Sequence, residues 1–220
     1  MPLSVDVWYS LKTRITLTTL LIFLASLWAL SFYASRVLQQ DMQRQLAEQQ
    51  FSTASMIAEH LNDAMEGRLK ALENVALRIS PSLLDDKAAL QVFLEERSSF
   101  EILFNAGFMV LNRQGTVIAD VPRATGRVGV NLLDRSSIAK ALNEGKSAIS
   151  EPVMGKKLLA PIFHMTVPVR DAQGNVIAAL SGVTNLGKPN FLDKVSHYGK
   201  TGGYLIVAPQ SRLIVAATAK

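Results

Sequence analysis

The stretch LLAPIFHMTVPVRDAQGNVIAALSGVT, Leu158 to Thr184, decides the fold. Leu158–Arg170 is rich in β-branched and apolar residues, and Val176–Thr184 repeats that character. Between them Asp171-Ala172-Gln173-Gly174-Asn175 is a cluster of turn formers. Two β-prone runs around such a cluster predict an antiparallel hairpin. His164 and Thr166 lie two apart, so they share one face of the first strand.

Upstream, Ala148–Val153 reads as a strand, and Ser136–Asn143 as a short helix stopped by Glu144-Gly145-Lys146. Pro122–Asn131, with Gly126 and Gly129, reads as a loop. Phe104–Asn112 and Thr116–Val121 flank Arg113-Gln114-Gly115 and predict a second hairpin. Before it, Pro81–Asp86 reads as a turn and helix start, and Ala88–Arg97 as a helix. The order is helix, hairpin, short helix, strand, hairpin. It predicts an α+β domain over 81–189, an antiparallel sheet of about five strands with helices to one side. Asn190–Tyr198 reads as a short helix and GKTGG as a joint, followed by a hairpin of Tyr204–Ala208 and Leu213–Ala217. Residues 190–220 therefore read as the incomplete start of a second module, since a lone hairpin cannot bury a core.

Residues 36–80 are expected to form one long stalk helix. Only Gly67 and no Pro interrupt 37–80, and Ala54, Ile57, Leu61, Met65, Leu69, Leu72, Ala76 and Ile79 recur at helical spacing. Pro81 is expected to end it. Further back, ITLTTLLIFLASLWALSFYAS, Ile15 to Ser35, carries no charge. At 1.5 Å per residue it spans about 31 Å, the thickness of a bilayer core. Trp28 and Tyr33 lie toward one end, where amphipathic rings favour the interface. A cleaved signal peptide would be shorter and end in small residues, whereas Phe32-Tyr33-Ala34 places a bulky residue there. The reading is an uncleaved anchor over 15–35 behind a cytoplasmic tail, 1–14. Lys12 and Arg14 nearly balance Arg36 and Arg44, so the outward orientation of the C-terminal part rests on the short tail and the large domain.

Composition agrees. Of 220 residues 49% are hydrophobic and 19% charged, which excludes a disordered chain. With no cysteine, disulfides, thiolate metal sites and thiol catalysis are excluded. The net charge of +5 comes from no Lys/Arg cluster, so no nucleic-acid partner is expected. HExxH, GxSxG and GxGxxG are absent. Gly199-Lys200-Thr201 imitates the tail of a phosphate loop, but Lys194 stands where its first glycine belongs. Asp85-Asp86 is read as helix capping. No catalytic constellation, metal site or cofactor is expected.

The informative residues are polar groups set in apolar strands or beside the Gly-containing loop: His164, Thr166, Asn185, Asp120, Arg127 and Arg135. Around one concavity they would bind a small anion or polar metabolite. The competing reading makes His164 a hydrogen-bonded core histidine and Arg127 a solvated side chain.

Four runs carry a resemblance: LNRQGTVIADVP, GRVGVNLLDRSSIAKALNEGKSAISEPVMG, PIFHMTVPVRDAQGNVIAALSGVTNL and YGKTGGYLIVAPQSRLIVAAT. Their order, with G-x-N-x-x-D-R at Gly129–Arg135, then I-S-x-P-V and V-P-V-x-D-x-x-G-x-V-I, resembles the double Cache sensors. These PAS-like extracytoplasmic domains occur in bacterial chemoreceptors, sensor kinases and membrane diguanylate cyclases, and the style is similar to those fused to GGDEF-type cyclases. The resemblance spans 15–220 and implies a ligand in the membrane-distal module, with Arg135 in the pocket-facing segment. Ser137 replaces an aromatic that the family often has, and Asn185 stands near where amine-binding members have an aspartate. Both departures speak against an amino-acid ligand and leave open a carboxylate, another polar metabolite or no ligand at all. The resemblance further implies a single-pass receptor of the bacterial inner membrane with a periplasmic or extracellular domain, in contact with membrane lipid and dimeric through its stalk helix. The alternatives are an anchored structural or protein-binding ectodomain, and the N-terminal part of a membrane diguanylate cyclase whose catalytic domain lies beyond Lys220.

Overall fold

The computed structural model describes residues 11–193, 205–207 and 214–217. The chain divides into two units, Met1–Met56 and Ile57–Lys220. Helix α1, Leu11–Ala76, contributes to both.

In the first unit α1 holds a segment long and apolar enough to cross a membrane, with mean hydropathy 2.0 over its best window. Three of its hydroxyls, those of Thr18, Thr19 and Ser26, bond to carbonyls within the helix. Thr18 donates to the Arg14 carbonyl at 2.7 Å, and Ser26 to that of Phe23 at 2.8 Å. That internal pairing is what a hydrocarbon environment demands of polar groups.

In the second unit Ile57, Leu72, Val75 and Ala76 of α1 are buried, with Leu61, Met65 and Leu69 half-buried beside them. The stalk stripe is therefore a core face from Ile57 onward. The helix closes at Ala76, short of the expected Ser80. Ile79 turns into the core, and Ser80 caps the next helix by accepting from the Leu83 amide. Pro81 opens that helix, α2 (Pro81–Asp85), at a position where its missing N–H costs nothing. Asp86 caps α3 (Lys87–Glu95), accepting from Ala88 and Ala89, as the capping reading expects.

The sheet follows. Strands β1 (Phe108–Asn112) and β2 (Val117–Val121) form the first hairpin. Helix α4 (Ser136–Ala139) runs into a π turn, Lys140–Glu144. β3 (Ala148–Ile149) and β4 (Val153–Met154) precede the long hairpin of β5 (Pro161–Arg170) and β6 (Val176–Asn185). The order is β2-β1-β6-β5-β3, with β4 also on β5, and every pairing is antiparallel. The fold class is the expected α+β, five strand positions wide, but the helices do not keep to the one side expected: α1 and α3 pack on one face of the sheet, and α4 with its π turn packs on the other.

Three further expectations change. The strand expected over Ala148–Val153 is split into β3 and β4. Ile149 pairs with Met165 and Val153 with Ile162, so one strand advances four residues while the other advances three. Pro152 has no ladder N–H to offer inside that bulge. β1 starts at Phe108, not Phe104, because Gly107, at φ +79°, ends a turn. A Cβ there would meet the Val121 carbonyl oxygen at 1.9 Å. Finally, the core takes in residues on both sides of the 81–189 span: the end of α1, and Phe191 and Leu192. The rest of the helix expected over Asn190–Tyr198, and GKTGG, lie outside the described residues. β7 (Leu205–Val207) and β8 (Ile214–Ala217) pair as the expected hairpin.

Two apolar clusters cover the two faces of the main sheet. One joins α1, α3, Phe104, Phe163, Met165, Val167 and Leu180. The other joins α4 and its π turn to Met109, Leu111, Leu132, Ile162 and Val183. Polar groups are embedded on this second face.

Candidate functional site

Asp120, the penultimate residue of strand β2, is fully buried. Gln91 of α3 fixes its backbone, donating to the Asp120 carbonyl at 2.8 Å and accepting from its amide at 3.1 Å. The loop after β2 then reverses through Gly126 and Gly129, both at positive φ, which glycine adopts without strain. The reversal returns Arg127 onto Asp120. Arg127 Nε and Nη2 donate to Asp120 Oδ1 at 2.9 and 2.5 Å, and its amide donates to Oδ2 at 3.3 Å. The Thr125 hydroxyl donates to the same carboxylate. Arg127 is thus a buried, paired cation, 5% exposed, which corrects the solvated alternative.

Arg135 precedes α4 and donates through Nη2 to the Met154 carbonyl at 3.0 Å, tying the loop to β4. On β5, His164 is 2% exposed, with Nδ1 3.5 Å from the Ser181 hydroxyl. Burial, then the charges of Arg127 and Arg135, push its pKa down to about 3, so the imidazole is neutral at pH 7. Thr166 bonds the Ser137 hydroxyl at 3.2 Å and the Ser181 hydroxyl at 2.9 Å. The three hydroxyls form a buried chain between α4, β5 and β6.

A narrow cleft of about 20 Å³, room for about one water, opens to solvent beside this cluster. Arg127, Arg135 and His164 line it, over apolar walls from Val130, Leu132, Leu158 and Ile162. Gly155, Lys156 and Lys157 complete it. Their loop is closed by the Gly155 amide on the Ala160 carbonyl at 2.9 Å. Lys156 also donates to Asp134 at 2.8 Å, and this bond holds the Asp134 carboxyl below its usual range.

Of the residues singled out in the sequence, Arg127, Arg135 and His164 reach the cleft wall. Asp120, Ser137 and Thr166 lie behind it as partners. Asn185 does neither. Its Oδ1 accepts from the Gly187 amide, and its backbone is clasped by Asn105, so it shapes the turn after β6. Lys156 and Lys157 escaped the sequence reading; their one signal was an adjacent cationic pair between two strand runs. Among the described residues no group of His, Asp and Glu could hold a metal.

The chain's fold is shared with sensor domains. The ligand-binding domain of the Pseudomonas fluorescens chemoreceptor CtaA, solved with L-serine, superposes with a TM-score of 0.59 at 19% identity, over 73% of this chain and 67% of that one. The domain of the Pseudomonas aeruginosa PAO1 chemoreceptor PctC, solved with GABA, gives 0.58 at 22% identity, over 74% and 72%. An extracellular ligand-binding receptor from Desulfohalobium retbaense gives 0.53 at 18% identity, over 65% and 26%. In sequence, the chain is 32% identical to sporulation kinase D of Bacillus subtilis over 142 residues, 58% of this chain. It spans 28% of that kinase's length. No protein-family model matches.

Proposed function

We infer that the chain is the small-molecule sensing part of a membrane-anchored receptor, with 15–35 in the bilayer, the tail 1–14 cytoplasmic and the sheet domain outside. One observation carries the reading. A fold shared with chemoreceptor ligand-binding domains here bears a cleft lined by Arg127, Arg135 and His164. Buried polar groups converging on a concave, partly apolar site are what a ligand pocket requires. The double Cache arrangement, the bacterial inner membrane and a kinase or cyclase output belong to the same proposal.

Signalling would be a population shift, the ligand favouring one packing of the sheet against α1. Leu72, Val75 and Ala76 of α1 sit in the sheet's core, and Arg68 donates to the Leu103 carbonyl while lying over the Phe191 ring. A change in the sheet therefore reaches the helix directly. Exposed Leu38, Met42, Leu46 and Phe51 would be covered by a second copy in a homodimer. The test is a thermal-shift screen of the detergent-solubilised chain against amino acids, small carboxylates and inorganic anions. Stabilisation by at least one compound is expected; a folded sample indifferent to all of them would overturn the reading.

A further inference from the structure

At about 20 Å³ the cleft beside His164 holds one body the size of a water molecule. Its charged walls are all cationic. Arg127, Arg135, Lys156 and Lys157 line it, and among the described residues no carboxylate does. The nearby acids are engaged elsewhere. Asp120 accepts from Nε and Nη2 of Arg127 behind the wall. Asp134 accepts from Lys156 at 2.8 Å and stands 3.9 Å from Arg135 Nε, beyond hydrogen-bonding range. The bond that Arg135 does make goes to a neutral group, the Met154 carbonyl. One carboxylate, Asp134, therefore answers two cations, and His164, being neutral, adds no charge. Two buried N–H donors on the wall side chains lack an acceptor, Nη1 of Arg127 and Nε of Arg135. These side chains are 6% and 15% exposed. Buried donors demand a partner, and buried cations an opposite charge.

We propose that the cleft is a halide site, filled by a single chloride ion. Acetate, phosphate and sulfate are several atoms across and exceed the space. Water matches the volume but brings no charge to a wall of cations. Chloride is one atom of comparable size, accepts from several N–H groups at once and supplies the missing negative charge. Val130, Leu132, Leu158 and Ile162 form the rest of the wall. These side chains offer no competing acceptor, and their low polarity strengthens the attraction between ion and guanidinium. The assignment stands apart from the sensing reading, since it concerns an ion that the cleft holds as built.

The test is thermal unfolding of the detergent-solubilised full chain at constant ionic strength. Sodium gluconate is replaced stepwise by sodium chloride or bromide and, in parallel, by acetate or sulfate. Chloride and bromide should raise the melting temperature in a saturable way, and acetate and sulfate should not. Equal effects of all four salts would be general screening and would overturn the proposal. Arg135→Gln should weaken the halide by about tenfold, the loss of one charge-assisted hydrogen bond. An unchanged halide effect in that variant puts the ion elsewhere and also overturns it. Should the variant fold poorly, crystals of the wild-type chain grown in bromide decide the matter. An anomalous peak bordered by Arg127 and Arg135 is expected, and a water in its place overturns the assignment. Organic compounds that stabilise the chain while halides do not would remove this proposal and leave the sensing reading standing. Indifference to both would remove both.

Discussion

The two faces of strand β5 are buried to the same degree and built on opposite terms. Phe163, Met165, Val167 and Val169 face the cluster under α1 and α3, where no hydrogen bond is needed. Ile162, His164 and Thr166 face α4 and the cleft, where only Ile162 is apolar. The first face is held by area removed from water. The second carries the cost of dehydrating polar groups, and it stands because Asp120 meets Arg127 and the hydroxyls meet one another. Depth of burial does not tell the faces apart; the partners do.

The contrast can be broken from either side. The largest effect is expected at Asp120→Ala, which strands a buried guanidinium and should cost about 3–5 kcal/mol in urea unfolding. A loss below about 1 kcal/mol would mean that the pair is not the keystone of the polar face. On the apolar face, Leu180→Ala should cost about 2–5 kcal/mol through the cavity it leaves, with no change in ligand affinity. Gly182→Ala tests the same face by crowding. The Phe104 ring lies 2.5 Å from where the new Cβ would stand, so a loss of about 1–3 kcal/mol is expected, and a neutral result would show that Phe104 can swing aside.

Acid should act on the polar face through His164 before the carboxylates titrate. His164 has its folded pKa lowered from 6.5 to about 3, so between these values the unfolded chain binds the extra proton. Its contribution is complete above pH 6.5 and is lost as pH falls toward 3, at a slope of up to about 1.4 kcal/mol per pH unit. Arg127 and Arg135 repel the imidazolium, while Asp134 favours it. Stability measured across this range should show the slope in the wild type and lose it in His164→Gln; an unchanged slope in the variant would place the acid sensitivity elsewhere. The smallest effect is expected away from both faces. Asp86→Ala removes the α3 cap and should cost about 1 kcal/mol without touching binding or the pH profile.

Much of this architecture was legible in the residues. Alternation and turn formers marked the hairpins, absence of Pro marked α1, and the uncharged run marked a segment able to cross a membrane. The misplaced edges follow from tertiary context. Pro152 in a bulge split one strand, and Ile79 left the helical stripe to fill the core. The cleft was harder to read. Arg127, Arg135 and His164 stood out as polar residues beside or within apolar runs, but Asn185 carried the same signal and serves a turn.

The chain order by itself determined which segments are helix and strand, because backbone preference and hydrophobic period act between near neighbours. Only the tertiary structure decided that Arg127 folds back on Asp120, that Thr166 meets Ser137 from 29 positions away, and that Lys156 and Lys157 close over the same cleft. A hydrogen bond between distant residues leaves no period in the sequence. It exists because a buried polar group must find a partner wherever the fold brings one within reach.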